Sequence, residues 1–465
     1  MKKYSDEKTN GRIIMAQKYK QLHFVTLQSL VNWSVAHLIN RDLGFTKKFP
    51  FARIGDVITR STLLIHVEDD VLYKQVTVKT NGGGAVLRNK NLELGKNIGT
   101  KTQYLAREGQ FIMSKIDARN GAFGIITNEI DGAIVTSDFP LFDVNTKLVH
   151  PFYLYLLSTT KPFIQYAQSC SRGTTNRQRI DVDSFLSQKI PLPSLAEQNK
   201  IIAAYNATIA QAKQCSTQAK DIDKQIEKYL QEILGLGIQL KTKSKTSYSF
   251  LRLYKFSETR NRWDLNKVRN SYKGNYEFVC LSDVASKMST GTTPPTRNKE
   301  YFNGDIDFYT PADIGRNMYL GDAERYISQI AIRDNKARCF YKGDLLFVGI
   351  GSTVGKVGLV NKEMVSSNQQ ITGITFNTQK ILPEYAFIYM HYFKENTTAN
   401  QSKTTLPIVN QEKIAKIPLP LPPLTIQNKI VEHITALRST QKNLQQKSLT
   451  LRQQATEQFE QIIFE

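Results

Sequence analysis

The sequence has few of the features that mark secreted, metal-binding or membrane proteins. It contains four cysteines in 465 residues (Cys170, Cys215, Cys280 and Cys339), and no pair has a Cys-x-x-Cys spacing. Neither a zinc site nor a disulfide framework is therefore expected, and the six histidines form no metal-binding pattern. No apolar run reaches the about 18 residues of a membrane span, and no signal-peptide pattern opens the chain. We expect a soluble, cytoplasmic protein with no membrane partner.

Motifs for binding a nucleotide or S-adenosylmethionine are incomplete. The segment FVGIGSTVGK (347–356) contains the FxGxG pattern of S-adenosylmethionine loops and comes close to a P-loop. Its spacing is wrong for a P-loop, because Gly349 stands six residues before Gly355 and Val357 replaces the magnesium-binding Ser or Thr. No Asn/Asp-Pro-Pro-aromatic motif, which could hold a flipped base, accompanies it. We interpret the segment as a β-turn between two strands.

Acidic clusters that could hold a catalytic metal are also scarce. Glu68-Asp69-Asp70 is one, and GDAER (321–325) is the nearest approach to another. Nuclease sites usually combine such carboxylates with a Lys, and no Glu-x-Lys occurs in the chain. We interpret both segments as solvated loops. The prediction is a chain with no catalytic residues, no metal and no cofactor of its own.

Positive charge, in contrast, is abundant. The chain has 62 Lys and Arg residues against 41 Asp and Glu, a net charge of +21. With 40% hydrophobic and 10% aromatic residues it has the composition of a folded protein. A polyanionic partner is expected, and nucleic acid is favoured over a membrane because no basic amphipathic anchor is visible. A solubility effect of the charge is the alternative.

Two segments have the pattern of long coiled-coil helices, with apolar or small residues every three or four positions. The first, from about Gln198 to Leu234, has its stripe at Ile202, Tyr205, Ile209, Ala212, Ser216, Ala219, Ile222, Ile226, Tyr229 and Ile233. The second has its stripe at Ile430, Ile434, Leu437, Gln441, Leu444, Ser448, Leu451, Ala455, Gln458 and Ile462. Ser194 and Glu197 predict a capping box, and Gly235 predicts the end of the first helix. Because each helix has one narrow face to bury, we predict that the two helices pair.

Six landmarks recur in the same order, which indicates an internal duplication. Both helices follow a KIPLP segment, and the only two tryptophans, Trp33 and Trp263, lie 230 residues apart. The remaining pairs are FARIGDV (51–57) with FVCLSDV (278–284), GQFIMSKIDARNGAFGII (109–126) with GDLLFVGIGSTVGKVGLV (343–360), HPFYLYLL (150–157) with LPEYAFIYM (382–390), and SRGTTNRQRI (171–180) with SKTTLPIV (402–409). Chance would not keep six pairs at shifts between 227 and 234 residues.

The duplication predicts two globular units, 1–189 and 271–415, each followed by a spacer helix, 190–240 and 416–465. Between the halves, 241–270 is a linker with nine Lys and Arg against two acids. Short β-rich runs broken by Gly, Asn and Asp turns fill both units, and a helix is expected after Pro151 and after Pro383. The predicted fold class is α+β, with two mixed α/β units.

Polar and basic side chains in turn-rich segments are the candidates for contacting DNA. Arg suits guanine, and Asn or Gln suits adenine, because each can make two hydrogen bonds to the base edge in the major groove. The candidates in the first half are Lys101, Gln103, Lys115, Arg119, Asn120, Arg172, Thr174, Arg177 and Gln178. Those in the second half are Ser289, Thr290, Thr310, Asp313, Arg316, Gln369, Lys403 and Thr404. For any one of them, a solvated loop residue is the alternative.

Taken together, these features resemble the specificity subunit of type I restriction-modification systems. The resemblance covers nearly the whole chain and rests on two variable globules, each followed by a [KR]IPLPxLxxQxxI helix. It also rests on TGTTPPTRNKEYFNGDIDFYTPADI (290–314) and GDLLFVGIGSTVGKVGLV in the second half. The first half departs from the second, with ITRSTLLIHVEDD in place of STGTTPPT. No base contact can therefore be transferred between the halves.

The resemblance implies two pseudo-symmetric target-recognition domains separated by two long antiparallel coiled-coil helices. Each domain would read one half of a bipartite site on double-stranded DNA. Two methyltransferase subunits and restriction (motor-nuclease) subunits would be the partners, and S-adenosylmethionine would bind the methyltransferase, not this chain. Two alternatives stay open: a self-contained adenine-N6 methyltransferase that uses FVGIG, and a coiled-coil scaffold that binds nucleic acid without sequence preference.

Overall fold

In the computed structural model of the protein, the described residues are 43–172, 178–236, 274–315, 317–398 and 407–465, and of residues 172, 396 and 397 only the backbone is described. The predicted linker 241–270 lies outside these ranges. The chain divides into two compact units, one made of the residues up to 214 with 447–465 and the other of 215–446. We call the described residues 43–194 the first globule and 274–423 the second globule. Both unit boundaries fall inside the long helices, and the predicted domain limits stay predictions.

The first globule is built from short strands with helices near its C-terminal end. Its elements are β1 (Phe51–Arg53), α1 (Ile54–Val57), β2 (Ile58–Arg60), β3 (Leu64–His66), β4 (Leu72–Tyr73), β5 (Val76–Lys79), β6 (Gly84–Leu87), β7 (Glu93–Leu94), β8 (Thr102–Leu105), β9 (Phe111–Met113), β10 (Phe123–Ile125), β11 (Ile134–Val135), β12 (Leu141–Val144), α2 (Pro151–Thr159), α3 (Lys161–Ser169), β13 (Ser171–Arg172), β14 (Arg179–Ile180), α4 (Val182–Leu186) and β15 (Lys189–Pro191). The helix α5 (Leu195–Leu234) follows. A helix thus begins at Pro151, as predicted.

The second globule repeats this plan. Its elements are β16 (Phe278–Cys280), α6 (Leu281–Val284), β17 (Ala285–Thr290), β18 (Ile306–Tyr309), β19 (Tyr326–Ile327), α7 (Gln329–Arg333), β20 (Cys339–Tyr341), β21 (Leu345–Val348), β22 (Val357–Leu359), β23 (Met364–Ser367), β24 (Ile371–Phe376), α8 (Pro383–Tyr392), α9 (Lys394–Thr397), α10 (Gln411–Ala415) and β25 (Pro418–Pro420). The helix α11 (Leu424–Phe464) follows. The helix predicted after Pro383 is α8.

Each globule contains a four-stranded antiparallel sheet with the same strand order. The order is β10-β9-β12-β2 in the first globule and β22-β21-β24-β17 in the second. The overlay of 109–126 on 343–360 places the hairpin β9–β10 on the hairpin β21–β22, which confirms the duplication. FVGIGSTVGK is the turn of the second hairpin with its flanking residues, as predicted.

Outside this shared sheet the globules differ. In the first, β3, β8 and β11 form an antiparallel sheet, and β4–β7 and β5–β6 form two further antiparallel pairs. In the second, the order is β19-β18-β23-β20, and β18 and β23 run parallel. A parallel pair needs a longer connection than a hairpin does, so these outer regions follow different chain paths.

The start of each long helix is fixed to its globule by a buried glutamine. Gln198 and Gln427 are both 0% exposed. The Gln198 side chain donates to the carbonyls of Leu148 and Pro193 at 3.0 and 2.8 Å and accepts the His150 N–H at 2.7 Å. Gln427 bonds to the backbone of Lys380, Pro422 and Leu382 in the same pattern, at 3.0, 2.8 and 2.8 Å. The bonds to the carbonyls of Pro193 and Pro422 are buried, so each glutamine satisfies one backbone group that would otherwise be buried without a partner.

Both predicted ends of α5 are confirmed. The Ser194 hydroxyl accepts the Glu197 N–H at 3.3 Å, and the Glu197 carboxylate accepts the Ser194 N–H at 3.2 Å, which is the predicted capping box. At the other end the helix stops at Leu234, and Gly235 has a φ of 64°. Glycine adopts this left-handed conformation without the steric cost that a side chain would bring.

The two long helices pair antiparallel, as predicted. In the first unit, the N-terminal part of α5 contacts the C-terminal part of α11, and the Ser448 hydroxyl donates to the Ala212 carbonyl at 2.7 Å. In the second unit, the C-terminal part of α5 contacts the N-terminal part of α11, and Gln441 Nε2 donates to the Ala219 carbonyl at 2.8 Å. In each contact an alanine of α5 leaves room for a polar side chain of α11.

The buried stripe agrees with the prediction except near the ends of the two helices. In α5, Leu230 and Leu234 are both 0% exposed, whereas the predicted Tyr229 and Ile233 are half-buried. A second departure lies near the end of α11. Gln458 is exposed there, whereas Phe459 and Ile463 are 3% and 0% exposed and belong to the core of the first unit. An α-helix has about 3.6 residues per turn, so a stripe extrapolated in steps of three and four drifts off the buried face over several turns.

Candidate nucleic-acid interface

In the first globule, three separate chain segments meet through backbone hydrogen bonds. The Lys115 N–H donates to the Asp138 carbonyl, and the Ile180 N–H donates to the Lys115 carbonyl, both at 2.8 Å. We call this meeting point the first junction. Two predicted residues lie beside it, because Arg119 Nη1 donates to Gln178 Oε1 at 3.3 Å. The structure thus brings together candidates that are 59 residues apart in sequence.

The second globule has the same arrangement. The Gly349 N–H donates to the Gln370 carbonyl, and the Val409 N–H donates to the Gly349 carbonyl, again both at 2.8 Å. We call this meeting point the second junction. The predicted Gln369 adjoins Gln370 and accepts a hydrogen bond from the Thr293 hydroxyl. Candidate residues therefore accompany the same backbone arrangement in both globules.

The candidates Ser289 and Thr290 lie at the end of β17, close to the second junction. Ser289 pairs with Gly373 in the sheet, and both candidate side chains are half-buried. The Thr290 hydroxyl lies 3.3 Å from that of Thr372 and donates to Gln411 Oε1 at 3.4 Å. Because both side chains are only half-buried, each can still form hydrogen bonds to a ligand, although the Thr290 hydroxyl already has partners within the globule.

Thr310 and Asp313 stabilise a turn after β18. Asp313 Oδ2 accepts the N–H and the hydroxyl of Thr310, both at 2.7 Å, and Oδ1 accepts the Glu324 N–H at 3.0 Å. The neighbouring carbonyl of Tyr309 accepts the Asn368 N–H at 3.1 Å, so this turn adjoins the segment of Gln369. Both carboxylate oxygens of Asp313 are already engaged, and its arrangement is that of a turn-forming residue.

Lys101 and Gln103 lie in a different part of the first globule, at β8. Lys101 Nζ lies 2.5 Å from Asp69 Oδ1 and 2.8 Å from the carbonyl oxygen of Gly95. This hydrogen bond and the positive charge of Lys101 hold the pKa of Asp69 below its usual value. Gln103 is only 3% exposed and donates to the Thr100 carbonyl at 2.9 Å. Both side chains thus contribute to the fold of the globule.

Gln103 also lines an open polar cleft of about 480 Å³. Arg88 and Asn89, which the sequence analysis did not select, line the same cleft. Asn120 is exposed, and its carbonyl accepts the Asn81 N–H at 2.8 Å from the β5–β6 turn. The remaining candidates lie outside the described residues: Thr174, Arg177, Arg316, Lys403, Thr404 and the side chain of Arg172.

The first junction also carries two cations that the sequence analysis missed, Arg60 and Arg179. Arg179 makes two hydrogen bonds to the Asp138 carboxylate, Nε to Oδ1 at 3.1 Å and Nη2 to Oδ2 at 3.2 Å, which raise its pKa. Burial lowers the pKa of Lys115, and the charges of Arg60 and Arg179 lower it further, against the opposing effect of Asp138. Only the pairing of distant strands brings these residues together, so no local pattern could have revealed them.

Within the described ranges, no group of His, Cys, Asp and Glu residues has an arrangement that could hold a metal ion. None of the helices in those ranges combines the length and the apolar character that crossing a membrane requires. The described residues of the candidate interface are polar and basic side chains on turns and strand ends.

Comparison with known proteins assigns this architecture. The sequence profile of the type I restriction modification DNA specificity domain matches twice, at residues 47–213 and 273–453. The chain belongs to this family. It is 22% identical over 337 residues to the HindI specificity subunit of Haemophilus influenzae, which covers 63% of this chain and 72% of that one. It is 27% identical over 175 residues to the MjaIX specificity subunit of Methanocaldococcus jannaschii, 36% of each chain.

A solved structure also shares the fold of this type I specificity subunit. That chain comes from work on complex assembly and conformational transition of the type I restriction-modification system. It aligns over 90% of this chain and 97% of its own length, with a TM-score of 0.57 and 18% identity. The family assignment makes the protein a DNA-recognition subunit, and each of the two matches contains one of the junctions.

Proposed function

We propose that this specificity subunit reads a bipartite target on double-stranded DNA, one half-site with each globule. The observation that carries the proposal is the pair of junctions, which share one backbone arrangement but carry different side chains. Arg119 and Gln178 accompany the first, and Gln369 and Thr290 accompany the second. Two recognition surfaces with the same backbone arrangement and different side chains suit a DNA target with two unrelated halves.

The partners in this proposal are two methyltransferase subunits and the restriction (motor-nuclease) subunits, and the reaction is adenine-N6 methylation. S-adenosylmethionine is bound by the methyltransferase and not by this chain. In support, Gly349 of FVGIG uses both its N–H and its carbonyl in the second junction, in a turn between two strands. Tight S-adenosylmethionine binding by the isolated chain would favour a self-contained methyltransferase instead.

Two matched variants test the bipartite reading. Arg119→Ala is expected to cost about 1–3 kcal/mol of binding and to relax one base position in the first half-site only. Gln369→Ala is expected to relax the second half-site only. Sequencing of methylated adenines, with the variant chain and its cognate methyltransferase expressed together, measures both effects.

Uniform weakening across all sequences, with a smaller salt dependence, would instead show that Arg119 contacts only phosphate. Relaxation of both half-sites by one variant would contradict the assignment of one half-site to each globule. Equal affinity for all duplexes, dependent only on salt, would favour the non-specific scaffold.

We further propose that the length of the paired helices sets the number of base pairs between the half-sites. α5 has 40 residues and α11 has 41, which corresponds to about 60 Å at ~1.5 Å per residue. Half-sites one turn of DNA apart are separated by about 34 Å, which helices of this length can span.

Deleting one heptad from each helix shortens the pair by about 10 Å and is expected to reduce the preferred spacing by a few base pairs. The methylated motif reports the spacing directly. A motif with the original spacing, obtained with a shortened chain that still folds and supports methylation, would contradict the proposal that helix length sets the spacing.

A further inference from the structure

The first junction brings Arg60 and Lys115, which have no acidic partner among the described residues, together with Arg179. Asp138 is the only described carboxylate whose charge acts on Lys115, and both of its oxygens are already bonded to Arg179. In the described part of the chain, neither Arg60 nor Lys115 forms an ion pair. Holding three cations around one committed carboxylate costs free energy through like-charge repulsion. A bound anion would relieve it.

Backbone hydrogen bonds place Lys115 and Arg179 side by side, and Arg60 lies on the neighbouring strand β2, close enough for its charge to act on Lys115. Arg60 ends β2 and pairs with Phe142 of β12, which in turn pairs with Phe111 of β9. Lys115 follows β9, and its carbonyl accepts the Ile180 N–H, so Arg179 stands one residue from the same bond. The cations therefore sit on three fixed segments rather than on one flexible loop.

Strand register identifies the corresponding residues of the second junction. Met288 pairs with Ile374 and Ile374 with Leu345, which matches Arg60, Phe142 and Phe111 of the first globule. The two matching backbone bonds place Gly349 where Lys115 stands and Ile408 where Arg179 stands. The second globule thus has Met, Gly and Ile at the three positions, and the shared fold does not require charge there.

We propose that Arg60, Lys115 and Arg179 form a binding site for a phosphodiester group of the DNA backbone. The inference rests on the proposed DNA-reading function and adds a specific role for these three side chains. Arg179, held by Asp138, presents a guanidinium of fixed orientation, and Lys115 supplies a half-buried ammonium. Asp138 acts here as a positioning residue. The site anchors the first globule to DNA without reading its sequence. Arg119 and Gln178, beside it, are the residues proposed to contact bases.

The test is the salt dependence of DNA affinity, measured with the full chain and a duplex of random sequence over a series of KCl concentrations. Losing one phosphate contact lowers the slope of log K against log[salt] by about 0.9 and weakens binding about fivefold at physiological salt. We expect this for Lys115→Gln and for Arg179→Ile, the latter being the residue of the second junction. Lys115→Arg, which keeps the charge, is expected to retain the slope. Lys220→Gln, an exposed position on α5, controls for the loss of charge alone.

A second readout separates this site from base reading. The methylated motif obtained with the cognate methyltransferase is expected to be unchanged in Lys115→Gln, because phosphate contacts carry no sequence information. An altered motif, or a slope equal to that of Lys220→Gln, would overturn the proposal. The same experiment shows the methylated motif and whether methylation depends on this chain. Failure of the phosphate site can therefore be distinguished from failure of the specificity function.

A third measurement uses inorganic phosphate in place of DNA. If the site served a free phosphate ion, adding phosphate at constant ionic strength would raise the thermal unfolding temperature of the wild type but not of Lys115→Gln, and the DNA salt slopes of the two would be equal. That combination would contradict binding of the DNA backbone. The proposal expects unequal slopes whatever the effect of free phosphate.

Discussion

The two junctions have the same backbone hydrogen bonds, but the first carries cations where the second carries uncharged residues. Lys115 in the first globule and Gly349 in the second make the same two bonds at 2.8 Å. Arg60, Lys115 and Arg179 lie at the first junction. Met288, Gly349 and Ile408 occupy the corresponding positions of the second. The comparison shows that the backbone frame and the surface chemistry of this protein are specified separately. One frame can carry two different recognition surfaces.

The same separation is visible in the cores. Both globules have the four-stranded sheet and the buried glutamine, and in both the first strand pairs antiparallel with the last, β1 with β15 and β16 with β25. The outer strands differ in number and direction. Variants at corresponding positions of the two globules should therefore have equal effects in the shared frame and unequal effects where the outer regions pack on it.

The largest equal effect is expected for Gln198→Leu and Gln427→Leu. Each change removes three hydrogen bonds to the backbone, of which one is buried and two are partly buried. A buried group left unsatisfied costs about 1–3 kcal/mol and a partly buried one less, so we expect a loss of about 3 kcal/mol in both. Denaturant unfolding of the full chain measures the loss, with the exposed Gln211→Leu as the control. A large effect in one globule and a small one in the other would break the equivalence of the two frames.

An unequal effect is expected for Gly124→Ala and Gly358→Ala, which occupy the same position in the shared hairpin. A Cβ at Gly124 would lie 2.4 Å from the backbone nitrogen of Ala85, whereas one at Gly358 would meet the end of the Leu320 side chain at 2.4 Å. The backbone of the β5–β6 pair cannot move aside as easily as the end of the Leu320 side chain can. We expect a loss of about 2–3 kcal/mol for Gly124→Ala and about 1 kcal/mol or less for Gly358→Ala.

Thermal unfolding of the two glycine variants measures the difference. Equal losses would show that the outer region of the second globule is packed against the shared sheet as rigidly as that of the first. That result would weaken the division between frame and outer region.

The smallest expected effect concerns Tyr153 and Tyr385, whose hydroxyls donate to the carbonyls of Pro191 and Pro420 at 3.0 and 2.7 Å. Replacing either with Phe is expected to cost about 1 kcal/mol. Burial raises the pKa of both phenols, so the unfolded chain loses these protons at lower pH than the folded chain does. The resulting stability is present below the unfolded pKa of about 10 and is lost as the pH rises above it.

The double variant Tyr153→Phe, Tyr385→Phe should therefore lose less stability than the wild type between neutral and strongly alkaline pH. Unfolding midpoints at a series of pH values measure this. An identical alkaline slope in both proteins would show that these two phenols do not contribute to it.

Local patterns in the sequence predicted much of the frame. The capping box of Ser194 and Glu197, the end of α5 before Gly235 and the turn at FVGIGSTVGK each depend on a few neighbouring residues, and all are confirmed. The duplication could be recognised because matching segments keep their order and spacing. Pairing of the two helices followed from the single apolar face of each.

What the sequence could not reveal depends on contacts between distant segments. Gln198 and Gln427 look like ordinary polar helix residues, although both are fully buried. Arg60 and Arg179 belong to separate segments, and only the strand pairing brings them to Lys115. Asp313 stays a candidate for contacting DNA, although its carboxylate is engaged in a turn. The base contacts stay predictions.

The central claim is that this chain supplies the sequence specificity of a type I system by reading two half-sites. The most direct test is to map methylated adenines in genomic DNA when the chain is expressed with its cognate methyltransferase subunit, and when it is omitted. The account predicts a single bipartite motif that disappears without the chain. Methylation that is absent, or that is the same with and without the chain, would contradict it.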